Sequence, residues 1–173
     1  MNSWTRLCIV AAAVITLTAP ATAQKVQTEI DSHYDFVRLK TFALTPLNPK
    51  DVLNKRPEIV NELKKELVSE LEKAGYREDE VHPDFLVSFT ADQQKYRSSY
   101  TESATGVNAE SQTYNSDYAT RTLILDLVDP GTKKPFWHAT ASDQYSLGTM
   151  EKFIPKAVKK TVEEFRKEAH KRK

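Results

Sequence analysis

The stretch Thr122–Tyr145, TLILDLVDPGTKKPFWHATASDQY, decides the fold. Leu123, Leu125 and Leu127 alternate with Thr122, Ile124, Asp126 and Val128, the period-two pattern of a strand. Asp129-Pro130-Gly131 is a strong turn signal, because proline presets one backbone angle and glycine tolerates the next. Pro135–Tyr145 then reads as a second strand, with Phe136, His138, Thr140 and Ser142 on one face and Trp137, Ala139, Ala141 and Asp143 on the other. Two strands joined this closely pair antiparallel.

Upstream, Phe85, Val87 and Phe89 recur at period two in a strand that begins at Pro83. Between it and Thr122, residues 91–117 are polar and rich in Tyr, Ser, Thr and Gln. Tyr96, Tyr100, Tyr114 and Tyr118 are spaced as on strand extensions, which predicts a long hairpin with its tip near Thr101–Thr113. Further back, Val60, Leu63, Leu67, Leu71 and Ala74 recur at spacings of three and four, with Ile59 and Val68 widening the stripe. Pro57 at the start and Gly75 past the end bracket a helix over Pro57–Ala74. The aromatic and β-branched run Tyr34–Leu44 predicts a strand before it. At the other end, Ile154, Val158, Val162, Phe165 and Ala169 mark a helix within Met150–His170. Pro155 is tolerable only in a first turn, so that helix should start no earlier than about Glu151. The expected fold is α+β: an antiparallel four-stranded sheet with two helices packed on one face, in the order β-α-β-β-β-α.

The chain is 173 residues long with a net charge of +1, which does not indicate a nucleic-acid binder. Residues 1–23 read as a cleavable signal peptide. Arg6 and the amino terminus supply positive charge, Leu7–Leu17 is largely apolar, and Ala21-Thr22-Ala23 gives a small-x-small cleavage pattern. Thr16, Thr18 and Pro20 interrupt the run too early for a membrane span. Residues 24–173 are then expected to form a single α+β domain, exported to the periplasm and soluble after cleavage. The only cysteine, Cys8, lies in the segment that cleavage removes, so the mature chain would offer no disulfide, thiol nucleophile or thiolate ligand. Leu7 and Arg6 are wrong for lipid attachment at Cys8, so no lipid anchor is expected.

A succession of short motifs resembles a known family. Asp35-Phe36 with Lys40-Thr41-Phe42, Ala74-Gly75-Tyr76, Pro83-Asp84-Phe85-Leu86-Val87, Thr122–Asp129 and Trp137-His138-Ala139-Thr140-Ala141 together resemble the bacterial envelope family known as domain of unknown function 4136. The resemblance covers nearly all of residues 24–173 and implies a Gram-negative envelope setting. Many members look like lipoproteins, and this sequence departs from them in lacking a cysteine at the cleavage site. The resemblance implies no catalytic residue.

Four groups of residues could carry chemistry. Asp31, His33 and Asp35 would fall on one side of an extended chain and could contribute to a metal site, although further ligands would have to come from elsewhere. His138 could act as a base oriented by Asp126, but Trp137 points to the opposite face and no oxyanion-forming turn accompanies them. Trp137 reads better as a large filler beneath a helix. Tyr96, Tyr100, Tyr114 and Tyr118 combine apolar faces with polar tips, suited to binding sugars, peptides or envelope polymers. Finally, residues 151–173 carry nine Lys or Arg against four Glu. Lys156, Lys159, Lys160 and Lys167 could therefore make weak contact with an anionic membrane surface.

No Gly-x-Ser-x-Gly, His-Glu-x-x-His or phosphate-cradling glycine loop occurs in the sequence, and no cofactor is expected. The expected function is a periplasmic, non-catalytic domain binding an envelope component, a small ligand or a protein partner. The alternatives are a hydrolase using acidic residues such as Asp126 and Asp129, and a peripheral membrane protein docking through its basic last helix.

Overall fold

Strand β1, Lys25–Ile30, opens the fold and lies ahead of any strand expected from the sequence. A computed structural model describes residues 24–47, 51–102, 112–146 and 149–172. Within β1, Val26, Thr28 and Ile30 alternate with Lys25, Gln27 and Glu29, and the strand pairs antiparallel with the last strand from Lys25↔Ser142 to Ile30↔Trp137. The expected signal peptide, residues 1–23, lies outside the described residues.

The expected strand Tyr34–Leu44 is realised only as β2, Thr41–Leu44. Its first half is turns, because the Asp31 and Asp35 carboxylates accept the backbone N–H groups two residues on, at 2.9 and 3.0 Å. Such side-chain turns compete with an extended chain. Helix α1, Pro57–Lys73, buries Ile59, Val60, Leu63, Leu67 and Leu71, and ends at Gly75 with φ +98°. The left-handed turn there is the conformation glycine adopts without strain.

After α1 come β3, Arg77–Glu78, then β4, Phe85–Glu102, β5, Gln112–Val128, and β6, Pro135–Ser146. Among the described residues the sheet has six strands in the order β1-β6-β5-β4-β2-β3. It is mixed, which corrects the expected four antiparallel strands: β2 runs parallel to both β3 and β4. The reason is the helix between them. The β2–α1–β3 connection returns the chain to the end from which β2 started, so β3 runs parallel to β2, and β4, which follows β3, pairs parallel with the other edge of β2.

Helix α2, Met150–Lys171, starts one residue earlier than expected, which places Pro155 in its second turn. One internal hydrogen bond, to the Glu151 carbonyl, is therefore missing there. Both helices lie on the face of the sheet that carries Phe85, Val87, Phe89, Leu123, Leu125 and Leu127, all buried. Phe165 of α2 stands at the centre of this core, with ring centroids 5.3 Å from Trp137, 5.4 Å from Tyr76 and 5.9 Å from Phe85. Trp137 is 1% exposed, as a filler beneath a helix should be.

Phe136 is buried as well, although strict alternation puts it opposite Trp137. A register shift explains this. Leu127 pairs with Trp137 but Val128 pairs with Pro135, so Phe136 is the extra residue of a β-bulge and can turn inward. There it stacks on Tyr34, with ring centroids 3.8 Å apart.

Candidate functional site

The feature that most departs from a plain helix-on-sheet domain is the length of β4 and β5. They pair continuously from Leu86↔Val128 to Glu102↔Gln112, whereas β6 accompanies β5 only as far as Ala119↔Ser146. From Tyr96↔Tyr118 outward the two strands form a ribbon, and no other strand among the described residues pairs with either of its edges. An isolated two-stranded ribbon is marginal in water and needs cross-strand pairs to hold it.

The tyrosines supply two of those pairs. Tyr96 lies opposite Tyr118 and Tyr100 opposite Tyr114, all on the face away from the helices. The Tyr96 and Tyr118 rings stack with centroids 5.6 Å apart. The structure thus brings together all four tyrosines expected to act in binding. Tyr96, Tyr100 and Tyr114 are 42%, 66% and 51% exposed, while Tyr118 is half-buried. The Thr101 and Thr113 hydroxyls add a hydrogen bond at 3.0 Å, and Arg97 donates to Asp117 at 2.8 Å. Of the expected hairpin tip, Thr101–Thr113, residues 103–111 lie outside the described residues, and Thr101 and Thr113 are paired strand residues.

The opposite face of the same strands is different in kind. The core side chains of β5 run Leu127, Leu125, Leu123 and then Arg121, which is 1% exposed. Its strand partner is Asp143, with Nη1 3.6 Å from a carboxylate oxygen. Beyond the first turn of α2 the helix layer stops, leaving an open groove of about 750 Å³ between that turn and the ribbon. Arg121 lines it together with Lys95, Arg97 and Asp117 from the ribbon. Arg56, which precedes α1, and Glu151 close the other side. The Glu151 carboxyl is held below its usual range by a hydrogen bond from its own backbone N–H, then by the Thr149 hydroxyl and by the charges of Arg56 and Arg121. Asp117 is likewise held low by the hydrogen bond and charge of Arg97, and further by Lys95. A buried arginine at the end of a leucine row was legible in the sequence as a break in the alternation. The long reach of the hairpin beyond β6 was not.

The remaining expected sites fare differently. His33 is almost fully exposed, 3.6 Å from Asp31. Among the described residues no group of three or more His, Cys, Asp or Glu side chains is placed to hold a metal ion. Asp126 and His138 do meet, with Nδ1 2.6 Å from the carboxylate, and His138 Nε2 lies 3.2 Å from the Thr140 hydroxyl. This row has the order of an acid, a base and a hydroxyl. It lies, however, across β5 and β6, each between two hydrogen-bonded neighbours, so the backbone N–H groups of these strands are committed to the ladder and supply no oxyanion hole.

Asp129 has a structural task. It accepts from the Tyr34 hydroxyl, from Arg38 and from the backbone N–H groups of Gly131 and Thr132 at 2.7–3.0 Å. The basic face of α2 is exposed at Lys156, Lys159, Lys160 and Lys167. Lys167 is paired with Glu164 at 2.6 Å, and Lys160 donates to the Gln24 carbonyl. Among the described residues no helix is long and apolar enough to cross a membrane.

Comparison with known proteins gives a family and a fold. The family described as "Domain of unknown function (DUF4136)" matches residues 26–165. No curated protein matches the chain. A PDZ domain protein from Parabacteroides distasonis is 13% identical with a TM-score of 0.59, over 81% of this chain and 35% of that one. The chain therefore spans about a third of that protein's length. A PelC dodecamer from Paraburkholderia phytofirmans is 12% identical with a TM-score of 0.50, over 81% of this chain and 95% of that one. At these identities the likeness is one of fold alone.

Proposed function

The chain belongs to the DUF4136 family, and from that premise we propose that it is an exported, non-catalytic binding domain of the Gram-negative envelope. It engages an envelope component or protein partner through the tyrosine face of the β4–β5 ribbon. One observation carries this reading: the ribbon extends past the rest of the sheet and presents two cross-strand tyrosine pairs to solvent, three of the four rings being more than 40% exposed. Tyrosine gives a broad contact area at low entropic cost and a hydroxyl for orientation, and unpaired strand edges beside it can accept an extended segment. Two features fit a binding role better than hydrolysis. The strands that carry the Asp126–His138–Thr140 row supply no oxyanion site, and within the ribbon Arg97 is paired with Asp117 and Thr101 with Thr113.

The test is site-specific photocrosslinking in cells, with a photoreactive amino acid at position 100 or 114 and, as the control, at Val81, an exposed apolar position outside the ribbon. A discrete higher-mass adduct at 100 and 114 but not at 81 is expected. Equal patterns at all three positions would remove the ribbon as the binding element.

The exposed lysines of α2 support a second, electrostatic reading, weak docking on anionic membranes through Lys156 and Lys159. Vesicle sedimentation that disappears on raising salt would support it, and no sedimentation at low salt would end it.

A further inference from the structure

We infer that the outer edge of β4, from Gln93 to Thr101, accepts an extended polypeptide segment of a partner protein as an added strand. The inference deepens the proposed function and rests on it, since it gives the ribbon's partner a chemical class. It begins with one hydrogen bond. The Thr45 N–H donates to the Val87 carbonyl at 2.9 Å, at the end of the short stretch where β2 pairs with β4, Phe42↔Phe85 to Leu44↔Val87. In a strand the N–H and C=O of one residue point to the same side, and those of the next residue to the other. Val87 therefore faces β2. The alternation runs unbroken along β4, because its pairing with β5 keeps one register from Leu86 to Glu102. Even-numbered residues turn their backbone groups to β5, and odd-numbered ones turn theirs outward, where β2 has ended at Leu44.

Beside the inner end of this edge lies the short 3-10 turn Val52–Lys55, whose Leu53 shares a cleft with Ala91, Gln93 and Lys95. Farther out, among the described residues, no strand pairs with Lys95, Arg97, Ser99 or Thr101 on that side. The open length from Gln93 to Thr101 is about 27 Å at about 3.4 Å per residue, enough for a strand of ordinary size. A row of unpaired donors and acceptors is what an added strand matches, and main-chain bonds then supply the affinity.

The flanking side chains set the partner's pattern. Residues opposite Tyr96 and Tyr100 would lie on the tyrosine face, where β-branched and aromatic side chains pair well. The residues between them would lie beside Lys95 and Arg97, where a carboxylate is favoured. Arg97 already donates to Asp117, so Lys95 weighs more. The partner segment thus alternates apolar and acidic residues. A second copy is the poorer occupant, because two such edges laid together would gather two Lys95 and two Arg97 along one seam.

The test is amide hydrogen exchange of the isotope-labelled full chain, read by NMR, with a synthetic peptide of about ten residues alternating valine and glutamate. In the chain alone, the amides of Lys95, Arg97 and Ser99 are expected to exchange faster than those of Tyr96 and Ser98. The peptide should slow the first group specifically. Ser99→Pro removes one outward N–H, a change that an edge strand tolerates, and should weaken the peptide about tenfold, the worth of one hydrogen bond. The exchange measurement on the unaltered chain does not depend on that variant's stability. Failure of the peptide to protect the odd-numbered amides would overturn the inference. So would protection that rises with protein concentration in the chain alone, which would make a second copy the occupant. Crosslinked adducts at positions 100 and 114 that persist in Ser99→Pro would remove the edge and leave the tyrosine face as the binding element, whereas no adduct at either position would remove both.

Discussion

Replacing Trp137 by alanine tests whether the core is organised around the β6–α2 contact. The indole is 1% exposed, and its ring centroid lies 5.3 Å from that of Phe165. A buried tryptophan removes about 200 Å² from water, worth roughly 5 kcal/mol at about 25 cal/mol per Å². Against this, its indole N–H has no hydrogen-bond partner among the described residues, and a buried unsatisfied donor costs about 1–3 kcal/mol. The net expectation for Trp137→Ala is a loss of about 2–4 kcal/mol, with the residual cavity moving it toward the upper end. Trp137→Phe removes the unsatisfied donor while keeping most of the ring, so it should fall within about 1 kcal/mol of wild type.

Urea unfolding followed by far-UV circular dichroism measures both variants. Fluorescence is unsuitable, because Trp137 is the only tryptophan after Trp4. With a slope of about 2 kcal/mol per molar urea, the alanine midpoint should drop by about 1–2 M. A loss below about 1 kcal/mol for Trp137→Ala, or a phenylalanine variant as damaged as the alanine one, would refute the reasoning.

Three further outcomes are expected. Gly75→Ala should cost about 1 kcal/mol by thermal unfolding, from backbone strain at φ +98° alone, since a Cβ there would meet nothing within 4 Å. For Asp84, burial pushes the carboxyl up, but backbone N–H groups of Lys40 and Thr41 and the Thr41 side chain pull it below the usual value. For Asp129, hydrogen bonds led by the Thr132 N–H do the same. Both folded-state values are depressed, so their contribution is complete above the unfolded carboxylate range, near pH 4, and disappears as pH falls through the folded values. Asp84→Asn combined with Asp129→Asn should therefore flatten the acid side of a stability-against-pH curve measured in urea, and an unchanged acid limb would count against these bonds. Tyr100→Ser and Tyr114→Ser, at exposed ribbon positions, should change global stability by no more than about 0.5 kcal/mol while abolishing adducts formed from neighbouring ribbon positions.

Much of the architecture is local and could be read from the chain. The α1 stripe from Ile59 to Leu71, the alternation through Leu123–Leu127 and the turn at Asp129 each specify themselves within a few residues, and the structure has each of them. What escaped depends on partners distant in sequence. Val26, Thr28 and Ile30 alternate visibly, but they form a strand because β6 offers them an edge more than a hundred residues later. β3 is two residues long and exists only as an addition to β2. The burial of Phe136 depends on a bulge, which no periodicity announces. At the candidate site, the tyrosine spacing was legible and their common face followed from it. The groove was not, because it arises where the helix layer ends before the strands do, a comparison of lengths between elements far apart in the chain.

The pairing of β1 with β6 has a consequence for the order of folding. Hairpins β4–β5 and β5–β6 join near neighbours and can form early, whereas Lys25 cannot meet Ser142 until nearly the whole chain is available. Closing so long a loop delays that contact, and non-local pairing of this kind slows folding. β1 should be the last strand to dock and the first to detach. Until it does dock, β6 is an open edge carrying Trp137 and Ala139 at its margin, so the time spent waiting for the chain's first residues is also the time when a second molecule could take their place.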